Sequence, residues 1–385
     1  MTGERIVVAM SGGVDSSTAA ALLHASGAEV IGVTLRLYDE PGTSAGAAVE
    51  SGRCCGPRDV EDARATAAAL GFPHYVLNEK EAFRRAVIDD FVDEHRAGRT
   101  PSPCVRCNER IKFGPLLRFA RAVGSAALAT GHYARLQPRD GVGDVAAGPA
   151  SPPRLLRALD RSKDQSYFLF GVSPTLLGQV RFPLGDKPKD DVRALARRFG
   201  LPNADKPDSQ QICFIPDGDH RAFVERHGGA GAPGLIVDEG GAVLAAHAGH
   251  HRFTVGQRRG VPSAAGERRF VLGVDATAGT VMVGPRSLLA RRGLRVADVR
   301  WLAPASEIGL PRRAAVQVRH HGEATPAWLA DAGTRDDRRV DVTFDHPVGA
   351  VAPGQAAVFY DGDIVLGGGW VDRSEAVTNP AVEVS

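Results

Sequence analysis

The chain begins with short apolar segments that alternate with Ala- and Leu-rich segments, each bounded by turn residues. Ile6–Met10 is an apolar run that ends at a Ser-Gly-Gly turn, and the Ala/Leu-rich residues 16–26 stop at Gly27. Such runs are typical of buried parallel strands, and a terminating glycine is typical of a helix. Further strand-like runs cover residues 30–35, 74–78 and 127–130. This order predicts an α/β fold with a doubly wound parallel sheet.

Three longer segments have the pattern of helices. Residues 61–70 predict one helix, which the following Gly71 terminates. Phe83, Val87 and Phe91 recur every four residues, which places them on one face of a second helix. Residues 109–123 predict another helix, which we expect Gly114-Pro115 to break.

The pattern changes after about residue 215. Glycine becomes dense, and FVLGVD and TVMVG, separated by a turn at 276–279, predict a hairpin. Further alternating runs read AAVQVRH, VDVTF, AAVFY and DIVLGGG. Their spacing predicts a small antiparallel β-barrel. Segments 41–52 and 138–153 are predicted surface insertions, and the tail after Arg373 is predicted to be disordered.

Length and composition narrow the class of protein. The 385 residues suit two or three domains, and no apolar run is long enough to span a membrane. The N-terminus lacks the features of a secretory signal, so we expect a cytoplasmic protein. Its five cysteines then indicate metal or redox chemistry rather than a disulfide framework.

The net charge of +2 does not by itself indicate a nucleic-acid partner, but the cations are clustered. Five arginines lie within 252–269, and a second group comprises Arg312, Arg313, Arg319, His320 and His321. Either cluster is a solvated face or a surface for a phosphate backbone. Only six cations are lysines, and Lys112 and Lys163 fall inside motifs.

The first motif is Ser11-Gly12-Gly13-Val14-Asp15-Ser16-Ser17, at the junction of a strand and a helix. Glycines let the backbone close around an anion, and the helix start offers N–H donors. Asp15 could hold Mg²⁺. No Gly-Lys-Ser/Thr follows, so the motif differs from the loop that cradles β- and γ-phosphates. It predicts nucleotide binding; the alternative is an ordinary glycine-rich turn.

The second motif is TPSPCVRCN, residues 100–108, with Cys104 and Cys107 three residues apart. We expect Asn108 to cap the helix that follows, and a cysteine at a helix N-terminus has a more stable thiolate. The alternative is a pair of buried cysteines in a turn.

Two further motifs admit structural and functional interpretations. Cys213, between Ile212 and Phe214, is either a core residue or, given the polar residues before it, part of a surface loop. LDRSKDQSYFL, residues 159–169, suits contact with RNA or a charged helix cap. Cys54-Cys55 has no partner at a metal-ligand spacing, and we assign it no role.

Taken together, these motifs resemble the bacterial tRNA-specific 2-thiouridylase family of the pyrophosphate-loop ATP pyrophosphatase superfamily. The resemblance runs from Arg5 to about Val371 and includes AMSGGVDSS, AGRTPSPCVRCNERIKFG, ATGHYAR, LDRSKDQSYFLF, DSQQICFI, TVGQRRG, PGQAAVFY and LGGGW. It implies an adenine nucleotide alpha hydrolase-like catalytic domain at 1–215, a small central domain at 216–286 and a C-terminal β-barrel tRNA-binding domain at 287–373. The tail would cover 374–385.

The resemblance also implies an activity: ATP-dependent replacement of the 2-oxygen of the tRNA wobble uridine by sulfur. The ATP-binding residues would be Ala9, Met10, Ser11, Gly12, Gly13, Val14, Asp15, Ser16, Leu35 and Gly131. Cys107 would be the nucleophile, and Cys213 would carry a persulfide supplied by a sulfur-carrier protein or cysteine desulfurase. The residues that touch tRNA would be Ser102, Pro103, Cys104, Lys163, Asp164, Gln165, Arg319 and His320.

One departure from the family opens a second mechanism. Well-known members have Asp where this chain has Cys104, and that Asp is proposed to assist proton transfer. Cys104, Cys107 and Cys213 would suit a 4Fe-4S cluster with one open iron. The persulfide route and the cluster route therefore both remain open. Alternatives of another class are a non-catalytic ATP-sensing RNA-binding protein and an ATP-dependent ligase or amidotransferase for a small molecule.

Overall fold

The computed structural model describes residues 3–38, 57–139, 152–208, 211–215, 217–262, 268–334 and 337–376. They divide into two compact units. Unit 1 comprises Met1–Ile88, Pro103–Gly218 and Asp363–Val365; unit 2 comprises Asp89–Ser102, Asp219–Gly362 and Leu366–Ser385. Cys54, Cys55 and the predicted insertion at 41–52 lie outside the described residues.

The elements are numbered here in chain order. The strands are β1 (Arg5–Ala9), β2 (Glu29–Arg36), β3 (His74–Asn78), β4 (Ala127–Thr130), β5 (Ala134–Gln137), β6 (Arg154–Arg157), β7 (Val180–Arg181), β8 (Gly234–Val237), β9 (Val243–His247), β10 (Phe270–Asp275), β11 (Thr280–Gly284), β12 (Ala290–Trp301), β13 (Arg312–Gln317), β14 (Thr325–Asp331), β15 (Val340–Gly349), β16 (Ala356–Asp361) and β17 (Ile364–Ala376). The α-helices are α1 (Val14–Ala25), α2 (Pro57–Leu70), α3 (Lys80–Phe83), α4 (Asp89–Arg96), α5 (Pro103–Cys107), α6 (Phe113–Ala122), α7 (Pro174–Leu177), α8 (Lys189–Arg198), α9 (His220–Gly228) and α10 (Ala305–Ile308).

Unit 1 is built on a parallel sheet of order β3-β2-β1-β4-β7, which confirms the predicted fold class. Ile6, Val7 and Val8 of β1 are at most 1% exposed, as a central strand covered on both faces requires. Gly27, at φ +87°, follows α1 as the predicted terminator. The chain runs outward from β1 to β3 and then returns to β4 on the other side of β1. In such sheets ligands bind where the strand order reverses, beyond the carboxyl ends of β1 and β4.

The cysteine-rich segment differs from the prediction. Pro115 does not break the helix, because helical residues run from Pro103 to Ala122 with a π-helical turn at Asn108–Lys112. A π-turn shifts the hydrogen-bond register just before Pro115, which lacks an N–H to donate to the preceding turn. The helix also begins five residues earlier than the predicted Asn108 cap.

Unit 2 contains two sheets. Strands β10-β11-β8-β9 form a small sheet in which β10 and β11 are the predicted hairpin. Strands β12-β15-β14-β13-β16-β17 form a six-stranded antiparallel barrel, closed by pairing of β12 with β17. The barrel prediction is therefore confirmed. Residues 374–376, assigned by the sequence to the tail, are the end of β17.

No helix in the part of the chain that the structure describes combines the length and apolar composition needed to cross a membrane.

Candidate active site

The Ser11–Ser17 loop connects β1 to α1 and is held by its own side chains. Ser16 Oγ accepts a hydrogen bond from the Ser11 N–H at 3.1 Å and donates one to the Gly13 carbonyl at 3.1 Å. Gly12 has φ +70°, and a Cβ there would lie 2.2 Å from the Asp59 carbonyl oxygen. Both the backbone angle and the available space therefore require glycine at position 12.

The end of β4 lies directly against this loop. A Cβ on Gly131 would be 2.7 Å from the Ser16 nitrogen, so glycine is what allows the close approach. Ala9 pairs with Thr130 on one side and with Val33 of β2 on the other. The structure thus brings the predicted ATP residues together at the carboxyl ends of three neighbouring strands, with Leu35 near the end of β2.

Asp15, in the first turn of α1, lies in a charged network. Lys189 Nζ is 2.7 and 2.8 Å from its two carboxylate oxygens, and the Tyr133 hydroxyl donates to it at 2.8 Å. Burial and the Asp15 charge raise the pKa of Tyr133, which therefore keeps its donor proton. Lys189 is itself buried. Neither Lys189 nor Tyr133 is marked as a site residue by the motifs in the sequence.

The same lysine connects Asp15 to the motif that precedes Cys213. Lys189 Nζ is 2.8 Å from Asp208 Oδ1, while Lys163 Nζ and Arg193 bind the Asp208 carboxylate at 2.9 Å each. Burial alone would raise the pKa of Asp208, but hydrogen bonds from Lys189 and Lys163 outweigh it and lower that pKa. Asp208 therefore stays a carboxylate.

His132 follows Gly131 at the end of β4. Its Nδ1 is 2.9 Å from Thr130 Oγ1, and its ring stacks on Phe113 with centroids 6.1 Å apart. Burial, with the Lys112 charge adding to it, lowers the pKa of His132 to about 3. The imidazole is therefore neutral at physiological pH.

The loop around Lys163 is organised from within by Asp164. This buried carboxylate accepts hydrogen bonds from the Ala158 and Ser166 backbone N–H groups and from the Ser166 hydroxyl, all at 3.0–3.1 Å. Gln165 Oε1 accepts from the Tyr133 N–H at 3.0 Å. Asp164 thus shapes the loop, and the predicted contact between this loop and tRNA stays a prediction.

The two cysteines of the second motif occupy different environments. Pro103 is the first residue of α5, which places exposed Cys104 in the first turn and buried Cys107 at the end of that helix. The expectation that Asn108 caps the helix is wrong. Asn108 lies in the interior of the helical segment, where its Nδ2 donates to the Phe168 carbonyl at 3.1 Å. That bond connects the cysteine helix to the Lys163 loop.

Cys213 belongs to a turn in the same unit. Phe214 packs edge-on against Phe83 with ring centroids 5.7 Å apart, and the helical turn that follows Phe83, Arg84–Ile88, packs against α5. Both cysteine segments therefore contact the helical stretch 80–88. Cys104, Cys107 and Cys213 are not joined in a disulfide. Among the described residues, no three His, Cys, Asp or Glu side chains are grouped closely enough to hold a metal ion.

The other residues that are predicted to contact tRNA lie in unit 2 and are exposed or half-buried. Arg319 is exposed and His320 half-buried, in a turn after β13. Buried Gln317 fixes that turn by donating to the Arg319 carbonyl at 3.1 Å and the His320 carbonyl at 2.7 Å. Ser102 Oγ accepts from the Ala356 N–H at 3.4 Å.

Comparison with known proteins gives matches along almost the whole chain. Residues 4–217 match the family model described as tRNA methyl transferase HUP domain, residues 221–285 its PRC-barrel domain, and residues 291–371 an aminomethyltransferase beta-barrel domain. The chain is similar to proteins named tRNA-specific 2-thiouridylase MnmA. That from Geobacter metallireducens is 49% identical over 96% of this chain and 97% of its own length. The protein from Rhodospirillum centenum is 48% identical over 97% and 92%, and that from Acidithiobacillus ferrooxidans 44% over 97% and 100%.

Proposed function

The chain belongs to the tRNA-specific 2-thiouridylase family, and from that premise we propose how its own residues carry out the reaction. It is a tRNA-modifying sulfurtransferase that replaces the 2-oxygen of uridine by sulfur, at the expense of ATP. One observation supports the assignment of roles most directly. The ion pairs Asp15–Lys189–Asp208–Lys163 join the glycine-rich loop, the Cys213 motif and the Lys163 loop within unit 1.

ATP is held by Ala9–Ser16, Leu35 and Gly131. The fit rests on the loop geometry: position 12 requires glycine, and a side chain at Gly131 would collide with the start of α1. The first turn of α1 then offers backbone N–H groups to the phosphates. Asp15 is the carboxylate that would hold Mg²⁺, which would neutralise phosphate charge, but the ion would have to replace Lys189, whose Nζ lies 2.7 and 2.8 Å from the two Asp15 oxygens.

Sulfur transfer follows activation of the uridine. The 2-oxygen attacks the α-phosphorus of ATP, the bond to the β-phosphate oxygen breaks, and pyrophosphate leaves. The terminal sulfur of a Cys213 persulfide attacks C2, and the Cys107 thiolate attacks the inner sulfur of Cys213. The sulfur–sulfur bond of the persulfide breaks, AMP leaves with the former 2-oxygen, and a Cys107–Cys213 disulfide forms. A thiol reductant supplies two electrons to restore both thiols.

The macromolecular partners are tRNA and a sulfur donor. We assign tRNA contact to Ser102, Pro103, Cys104, Lys163, Asp164, Gln165, Arg319 and His320. Of these, Asp164 and Pro103 are buried and act by shaping the segments that carry their neighbours. A sulfur-carrier protein or a cysteine desulfurase delivers the sulfur to Cys213. Uridine in a single-stranded loop can be flipped into the site at low cost.

The iron–sulfur alternative receives no support from the arrangement of the three cysteines. Cys104 is exposed and Cys107 buried, and the described residues offer no three ligands grouped for a metal ion. No step of the mechanism is therefore assigned to a cluster.

The test is an assay of unmodified tRNA with ATP and a sulfur source, read as 2-thiouridine and AMP by mass spectrometry. Cys107→Ser and Cys213→Ser should each abolish 2-thiouridine formation, because neither thiol replaces the other. Cys104→Ser is the matched control, and it should retain substantial activity. Loss of activity in all three variants, with bound iron and sulfide in anaerobically purified wild type, would support the cluster mechanism instead.

A further inference from the structure

The carbonyl of Gly12, in the middle of the glycine-rich loop, is bound by two side chains from a distant segment. Asn203 Nδ2 donates to it at 3.0 Å and Lys206 Nζ at 3.2 Å. Asn203 Nδ2 also lies 2.8 Å from Ser17 Oγ in α1. Residues 203–206 therefore hold both the loop and the start of the helix.

Fixing this carbonyl fixes the direction of the next N–H. A trans peptide is planar, so the Gly13 N–H points opposite to the Gly12 carbonyl. Because that carbonyl faces Asn203 and Lys206, the Gly13 N–H is directed away from them. With φ +70° and no space for a Cβ, Gly12 can adopt this orientation where another residue would not.

Lys206 is placed to hold the loop rather than to bind phosphate. Its Nζ contacts buried Asp59 at 2.7 Å and Asp62 at 2.6 Å, so its charge is already matched by two carboxylates. Burial alone would lower the pKa of Lys206, but the hydrogen bonds that its ammonium group donates to these carboxylates raise it, which keeps the side chain charged.

Asn203 is buried, and only the nitrogen of its side-chain amide is hydrogen-bonded. Its Oδ1 is buried without a hydrogen-bond partner, while its Nδ2 makes the two bonds to Gly12 and Ser17. A buried unsatisfied oxygen is unfavourable, so its presence requires an explanation. Donation to the loop provides one.

We propose that Asn203 and Lys206 are positioning residues that orient the Gly12–Gly13 peptide so that its N–H binds the pyrophosphate portion of ATP. The inference rests on the proposed function, since it assumes that this loop binds ATP. Neither residue contacts the phosphates itself. Both act on the side of the loop opposite to the nucleotide.

The experiment measures binding of the pyrophosphate portion and of the adenosine portion of ATP separately. Displacement of a fluorescent ATP analogue by inorganic pyrophosphate and by adenosine is measured for wild type, Asn203→Leu, Lys206→Met and the double variant. Lys187→Met is the matched control, because Lys187 pairs only at 3.2 Å with largely exposed Asp186 in the same unit. Each single variant should bind pyrophosphate about five- to tenfold more weakly than wild type. The fold-loss of pyrophosphate affinity in the double variant should be at least the product of the two single fold-losses. Adenosine affinity should stay unchanged.

A merely structural role gives a different result. Asn203→Leu removes the unsatisfied oxygen along with the two bonds, so its unfolding midpoint should stay near that of wild type while pyrophosphate affinity falls. Equal losses for adenosine and pyrophosphate, or unchanged pyrophosphate affinity in the double variant, would overturn the inference while leaving the proposed function intact. Failure of the wild type to bind ATP at all would overturn both.

Discussion

Lys189 keeps two carboxylates close to one ammonium group. Asp15 and Asp208 both lie within 2.8 Å of its Nζ, and the lysine side chain is only 9% exposed. Without this cation, partly buried Asp15 would lose its ion pair, and Asp208 would keep only Lys163 and Arg193. This residue therefore contributes more to stability than a surface ion pair does.

We predict that Lys189→Met lowers the free energy of unfolding by about 2–3 kcal/mol, because it removes the cation bound to Asp15 and one of the three cations bound to Asp208. The measurement is urea unfolding followed by circular dichroism. Lys187→Met, which removes a half-buried lysine two residues away whose partner Asp186 is largely exposed, should change the free energy by less than about 0.5 kcal/mol. Equal effects in the two variants would contradict a special role for Lys189.

Glycine positions in unit 1 differ in what a side chain would meet. We expect Gly131→Ala to cost about 1–3 kcal/mol and to weaken ATP binding, because the new Cβ forces the end of β4 away from α1. Gly114→Ala, in α6, meets nothing nearer than 3.6 Å and should be neutral or stabilising. The measurement is the unfolding midpoint of each variant, with and without ATP. A Gly131→Ala protein as stable as Gly114→Ala would contradict the close approach.

At the scale of residues, the sequence predicted the loop and the cysteines but only part of their surroundings. Lys163 was noticed because lysine is rare in this chain and because it lies in a motif. Lys189 and Lys206 are equally rare, yet they lie outside the recognised motifs, and their partners Asp15, Asp59 and Asp62 are more than 140 residues away in the sequence. Pairings over such distances depend on how the chain folds, which local pattern does not reveal.

Helix α4 carries a buried titratable side chain. His95 is 9% exposed, and its ring packs edge-on against Phe91 with centroids 4.5 Å apart. Burial, with the charges of His220 and His251 adding to it, lowers the pKa of His95 to about 4. The helix thus packs around a neutral imidazole.

This pKa predicts a pH dependence of stability. Since the folded pKa lies below the ordinary value of 6.5, the unfolded chain takes up the proton first, and stability is lost as pH falls from about 6.5 towards 4. The loss attributable to His95 should be about 2 kcal/mol at pH 5 relative to pH 7. Trp301, Trp328 and Trp370 all lie in unit 2, so tryptophan fluorescence during urea unfolding reports on the unit that contains His95. His95→Gln should show a smaller pH effect, whereas His346→Gln, at an exposed position in the same unit, should behave as wild type.

Elements with strong periodicity were predicted well. The strand His74–Asn78 and the hairpin of β10 and β11 occur where the pattern placed them. Strands β5 to β9, β12 and β14 were not identified, because charged residues or proline interrupt the apolar pattern in most of them. The helix through Pro115 was misjudged because a π-turn compensates locally for a residue that normally ends a helix.

At the scale of the whole molecule, the cationic cluster of Arg312, Arg313, Arg319, His320 and His321 contributes less free charge than the sequence indicates. Arg313 is paired with Asp345 and lies 5.4 Å over the Trp328 ring, and Arg312 is 2.7 Å from Asp361. Arg319 is exposed at the turn after β13. Ion pairing with carboxylates therefore distinguishes Arg312 and Arg313 from Arg319, although the three arginines look alike in the sequence.

We expect Arg319→Ala to weaken tRNA binding and to reduce the slope of log affinity against log salt by about one, because one phosphate contact is lost. Arg313→Ala should leave the slope nearly unchanged, since its charge is already neutralised by Asp345. The measurement is tRNA binding at several salt concentrations. Identical slopes for wild type and Arg319→Ala would remove this arginine from the tRNA surface.

The division into two units could be predicted only in part from the sequence. The change of pattern near residue 215 corresponds to a boundary after Gly218, but residues 89–102 belong to unit 2 although they lie inside the predicted 1–215 domain. Their apolar positions continue the helical stripe of Phe83 and Val87, so the pattern has no break at residue 88. Membership of a unit depends on packing partners, here α9, rather than on periodicity.

The interleaving of the two units along the chain has a consequence for biosynthesis. The last residues of unit 1 along the chain are 363–365, where Ile364 pairs with Leu156 of β6. Conversely, residues 89–102 of unit 2 are synthesised before most of unit 1. A ribosome therefore releases Asp89–Ser102 well over a hundred residues before helix α9, against which α4 packs, has emerged. During that interval the apolar face of α4, with Phe91 and Val92, cannot pack against α9. Nascent chains stalled at residue 218 should expose this face, and chaperone binding would be expected there during translation.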